Sequence, residues 1–83
     1  MISELRDIRG YAAAHRITIT THADRRARER GADYEDIRHG LMTAQSCKLQ
    51  ENGCWRVPST DREGDELVLI VALEGEDLVV TLF

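Results

Sequence analysis

Apolar residues recur at helical steps through the first fourteen positions. Ile2, Leu5, Ile8 and Ala12 fall three or four residues apart, with Glu4, Arg6, Asp7 and Arg9 between them. This predicts a helix from Ile2 to about Ala14, weakened at Gly10. The period then shortens. Residues 16–20, Arg-Ile-Thr-Ile-Thr, alternate polar and β-branched side chains and predict a strand with Ile17 and Ile19 on one face. Thr21 is placed to cap a second helix, His22 to about Arg30, with Asp24 completing an approximate capping box. Gly31 suits the left-handed residue that ends such a helix. Asp33 then caps a third helix, with Glu35 and Asp36 in its first turn and Ile37, Leu41 and Met42 as its buried stripe.

From residue 45 onward the pattern is that of strands. Ser-Cys-Lys-Leu-Gln and Cys-Trp-Arg-Val-Pro flank Glu-Asn-Gly, and Asn52-Gly53 between alternating runs signals a tight hairpin in which both residues take positive φ. Residues 59–66 read as a polar loop. Two apolar strands, residues 67–74 and 77–83, close the chain; being apolar on both faces, they are expected to be central and covered. The fold class predicted is α+β: one domain over residues 1–83, with N-terminal helices on one face of a mostly antiparallel four- or five-stranded sheet.

Composition narrows the function classes. The 83 residues carry a net charge of −4, unevenly spread. Residues 1–46 hold eight arginines against seven acids, and residues 47–83 three basic residues against eight acids. A broadly basic nucleic-acid binder is excluded, so any anion site must be local. No apolar run reaches the ~20 residues of a membrane span, and the N-terminal residues lack the apolar core of a secretory signal. A cytoplasmic location is expected. Cys47 and Cys54 match no zinc-knuckle spacing and read as buried or half-buried thiols in strands, with a cross-strand disulfide open only if they face one another. His15 and His39 lack ligand-spaced neighbours, so neither a metal nor a cofactor is expected.

The local exception is Thr-His-Ala-Asp-Arg-Arg-Ala-Arg-Glu-Arg-Gly, residues 21–31. His22, Arg26 and Arg30 are four apart and form one stripe on the helix. Like charges at this spacing repel by roughly 0.2–0.5 kcal/mol per pair, and a phosphate held by guanidinium forks would remove that penalty. A solvated face neutralised by Asp24 and Glu29 is the plainer alternative. In the final strand Thr81 is the one polar residue within an apolar run; on parity it shares a face with Val79 and Phe83, and its hydroxyl must find a partner. Lys48 and Arg56 fall opposite Leu49, Trp55 and Val57 by alternation. Trp55 reads as core.

The run from Thr21 to Leu41, followed by a hairpin and the closing Asp-Leu-Val-Val-Thr-Leu-Phe, resembles a small bacterial family known as a domain of unknown function. Its hallmark is His-Ala-x-x-Arg-x-x-x-Arg-Gly with a closing Val-Val-Thr-aromatic strand, matched here by His22, Ala23, Arg26, Arg30, Gly31 and Thr81. That family is similar to the RelE/MqsR-like toxins. The resemblance implies a metal-independent endoribonuclease, the toxin of a type II toxin–antitoxin system, with RNA as substrate and a zinc-finger or helix-turn-helix antitoxin as partner. It would assign proton transfer to His22, the phosphate to Arg26 and Arg30, and a positioning hydrogen bond to Thr81, and would make Lys48 and Arg56 secondary candidates for RNA contacts. The alternative is a non-catalytic protein-binding module or small dimeric regulatory domain, in which a sheet edge or the arginine stripe docks a partner and the chain can form a homodimer.

Overall fold

The computed structural model of the chain describes residues 3–75 and 77–82. Helix α1 (Ser3–Ala13) leads into strand β1 (Ile17–Ile19), then helices α2 (Thr21–Glu29) and α3 (Tyr34–Thr43). Strands β2 (Lys48–Leu49), β3 (Trp55–Thr60), β4 (Glu66–Glu74) and β5 (Asp77–Leu82) follow. They form one five-stranded sheet in the order β1-β5-β4-β3-β2, antiparallel except where β1 runs parallel to β5. The architecture is the predicted α+β. Ile2 and Phe83, assigned above to a helix and a strand, lie outside the described residues, as does Glu76 between the last two strands.

The periodicities account for the core. Leu5, Ile8 and Ala12 of α1, Ala23 and Ala27 of α2, and Ile37 and Leu41 of α3 are all buried. They pack in one cluster with Val57, Leu67, Leu69, Val71, Leu78 and Val80, which alternate along β3, β4 and β5 and so share the inner face of the sheet. Ile17 and Ile19 pack against the same cluster. Met42 does not: it is 38% exposed, and Gly40 and Ala44 are buried instead. The small Gly40 lets α3 lie directly on β3.

The helix ends are specified by local chemistry, with one shift. Thr20, not Thr21, caps α2, accepting the amide N–H of Ala23, and Asp24 pairs with Arg28 rather than closing a capping box. The full box is at α3, where Asp33 and Asp36 accept each other's backbone N–H. Gly31 ends α2 as expected, with Ala32 N–H reaching back to the Ala27 carbonyl. The same hydrogen-bond pattern ends α1, but there the left-handed residue is His15, φ 61°, stacked on Tyr34. The antiparallel helices α1 and α3 also cap one another. Arg9 donates to the Ala44 carbonyl beyond α3, and Arg38 to the Ala12 and Ala13 carbonyls at the end of α1. Cations there offset the negative ends of both helix dipoles.

The hairpin forms where predicted, with Lys48 opposite Arg56 and Leu49 opposite Trp55, but its turn is of another kind. Only Gly53 has positive φ, 86°, and the loop is three residues long, closed by Gln50 N–H to the Cys54 carbonyl. Gly53→Val should therefore destabilise the domain by about 1–2 kcal/mol, the cost of a left-handed side-chain residue. Urea unfolding that left the stability unchanged would show that this turn is not held. Cys47 and Cys54 are free, half-buried, and lie just outside the strands; Cys54 stands across from Gln50, so the two thiols do not face. Residues 59 and 60, read as loop, extend β3. The last two strands are central to the sheet as expected, yet covered on one face only. Val68, Ile70, Ala72 and Val79 on the outer face are half-buried, with no layer beyond them among the described residues.

Candidate anion-binding helix

Helix α2 lies on β5 because Ala23 and Ala27 are fully buried there and small enough for close approach. That contact leaves the adjoining flank, His22–Arg26–Arg30, turned away from the sheet. His22 and Arg30 are exposed and Arg26 is half-buried. Asp24, a candidate neutraliser of the stripe, is taken by Arg28 at 2.9 Å, off the stripe. Arg26 itself has neither a hydrogen bond nor an ion pair among the described residues, while Arg30 does interact with its surroundings.

Thr20 ties the first turn of α2 to the sheet. Its hydroxyl accepts from Ala23 N–H at 3.2 Å and donates to the Thr81 carbonyl at 3.4 Å. Thr81 is thus joined to the turn that carries His22, but through its backbone. Its own hydroxyl donates to the Ile70 carbonyl at 3.3 Å. The reason is a bulge: Val71 pairs with Val80 and Ile70 with Leu82, leaving Thr81 as the extra residue. Strict parity with Val79 fails across a bulge, and the lone hydroxyl has a structural partner that sequence periodicity could not reveal.

Lys48 and Arg56 do not extend the α2 stripe. They are exposed register partners opposite Leu49 and Trp55, so they project from the outer face of the sheet. They lie on β2 and β3, toward the edge away from the β1–β5 side on which α2 sits. The chain therefore carries two separate cationic groups.

Among the described residues, two further clefts are lined by other side chains. One, of about 370 Å³, lies between residues 43–46 and the edge of β3 at residues 58–60. The other, of about 330 Å³, is lined by Gly31, Asp33, Asp36, Asp61, Arg62 and Glu63. Its chemistry is that of a latch. Arg62 donates from Nε (2.9 Å) and its backbone N–H (3.2 Å) to Asp36, and from its terminal nitrogen to both Asp33 oxygens. The Arg62 hydrogen bonds hold the Asp36 carboxyl down at about 2, against a smaller opposing effect of its burial. The sequence marks Asp33 as a helix cap and Asp36 as a first-turn acid; Arg62, the lone cation in an otherwise acidic loop, was the available signal for their partner.

Burial and, secondarily, Glu4 push the Cys47 thiol up, which disfavours the nucleophilic thiolate. No group of three or more His, Cys, Asp or Glu side chains gathers in metal-ligating array among the described residues. None of their helices is long and apolar enough to cross a membrane. No protein-family model matches the chain, and no curated protein matches its sequence.

Proposed function

We propose that this chain is a metal-independent endoribonuclease of the toxin type, acting on RNA in the cytoplasm and held in check by an antitoxin protein, with α2 as its working element. The observation that carries the reading is Arg26: a half-buried arginine whose guanidinium has no ion pair among the described residues, one helical turn from an exposed histidine. An RNA phosphate would supply the missing anion.

The chemistry is attack of a ribose 2′-oxygen on the neighbouring phosphorus with departure of the 5′-oxygen. His22 moves a proton to or from these oxygens, and Arg26 with Arg30 stabilises the charge that builds on phosphorus. Thr81 positions: its carbonyl receives the Thr20 hydroxyl that caps the turn bearing His22. Lys48 and Arg56, on the far face, would meet only a longer RNA that wraps the domain.

The test is cleavage of a defined RNA by purified protein, with products read for a 2′,3′-cyclic phosphate. His22→Ala is expected to lose about 100- to 10,000-fold in rate, and Arg26→Ala about 100-fold. Arg28→Ala, which removes only an exposed pair with Asp24, should leave the rate nearly unchanged. Equal losses for Arg26→Ala and Arg28→Ala would reduce the stripe to diffuse electrostatics. One observation favours the rival reading of a protein-binding module, namely the uncovered outer face of the sheet, and wild-type protein inert toward RNA would leave that reading standing.

A further inference from the structure

The outer face of the sheet has an aliphatic centre and two charged corners. Val68, Ile70 and Ala72 run along β4 with Val79 beside them on β5, all half-buried. There is no aromatic side chain in this row on which a nucleic-acid base could stack, so the face suits packing against protein rather than RNA.

The corners are less usual. Lys48 and Arg56 are directly opposed across β2 and β3, and Glu74 and Asp77 are directly opposed across β4 and β5. Like charges directly opposite in a sheet repel. All four side chains are exposed, and none has an ion pair among the described residues. By alternation all four project from the same outer face, opposite the buried Val57, Leu78 and their neighbours. One chain thus carries an uncompensated cationic pair and an uncompensated anionic pair on a single face. Arg56 is level with Ile70, and Glu74 lies four residues further along β4, which offsets the corners by about 14 Å along the strands and about 10 Å across them at ordinary strand spacings.

This pattern is complementary to itself. We propose that the outer sheet face is the interface of a two-fold dimer of this chain, with Lys48 and Arg56 of each copy set against Glu74 and Asp77 of the other. A two-fold axis lying in the interface between the corners exchanges them, so both repulsive pairs are relieved at once while the aliphatic rows meet. A standard interface takes ~800 Å² from each partner, so a dimer built on this face engages the charged corners along with the aliphatic centre.

Mass in solution, by light scattering or sedimentation across a dilution series, tests this. Wild type should have twice the monomer mass and should dissociate as salt is raised, because the corner pairs are exposed to screening. The doubly reversed variants, Lys48→Glu with Arg56→Glu and Glu74→Lys with Asp77→Lys, should each be monomeric with unchanged circular dichroism. Mixing the two should restore the doubled mass, since one now carries two acidic corners and the other two basic ones. A monomeric wild type at every concentration, a dimer indifferent to salt, or a folded pair of variants that fails to associate on mixing would each overturn the proposal. The wild-type salt series needs no variant, and none of these measurements involves RNA.

Discussion

Gly40→Ala should destabilise the domain by about 1–3 kcal/mol, the usual cost of overpacking a filled site, whereas Gly10→Ala should stabilise it by about 0.5–1 kcal/mol. Both glycines are interior to helices, and helix propensity alone favours alanine at each. The surroundings reverse the sign at one of them. A Cβ on Gly40 would stand 2.9 Å from Ser59 Cβ and 3.1 Å from the Thr60 carbonyl oxygen, whereas one on Gly10 meets nothing within 4 Å. Neither neighbour of Gly40 is the end of a flexible side chain, so α3 must lift from β3 to make room. For a domain of this size each kcal/mol moves the melting temperature by about 4–8 °C, so thermal unfolding separates the two variants clearly. If Gly40→Ala melts at or above the wild type, the helix is not seated on the strand as described.

Asp36→Ala is expected to cost about 2–3 kcal/mol, because it strips charge-assisted hydrogen bonds from Arg62 and the capping box of α3 together. Asp24→Ala, which loses one exposed pair with Arg28, should cost at most about 0.5 kcal/mol. Acid dependence gives a second readout. The folded-state pKa of Asp36 is lowered from 3.8 to about 2, so the folded chain holds this proton less readily than the unfolded one. Its contribution is therefore complete above the unfolded value and is lost as pH falls from about 5 toward 2. Urea unfolding over that range should show a steeper loss in wild type than in Asp36→Asn, which no longer titrates. Parallel curves would mean that the latch carries no net linkage to folding.

These two sites show what a linear reading can and cannot reach. The Asp33 cap and the Asp36 first-turn acid were legible because a capping box closes over three residues. That Arg62 completes the group was not, since 26 residues separate it from Asp36 and only the β3–β4 turn brings them together. Gly40 gave no signal of its own in the sequence, since its contact with Ser59 depends on where α3 lands. The α2 stripe was legible for the opposite reason: three side chains spaced by four share a flank of any helix. What the stripe lacks, an ion pair at Arg26, depended on Asp24 choosing Arg28.

By itself the sequence determined the features set within a turn of backbone. Those are the helix stop at Gly31, the hairpin at Asn52-Gly53, and the alternation that sends Lys48 and Arg56 to one face and Val57 to the other. Their energetics involve φ preferences and hydrogen bonds between residues two to five apart, which any tertiary setting preserves. Only the tertiary structure decided which threonine caps α2, that β1 joins β5 in parallel, and that Thr81 is the extra residue of a bulge. It also decided that the helices cover one face of the sheet and leave Val68, Ile70, Ala72 and Val79 half-exposed on the other. Each of those outcomes rests on pairing between segments distant in the chain. An apolar strand reads the same whether its second face meets a helix, a second copy or water.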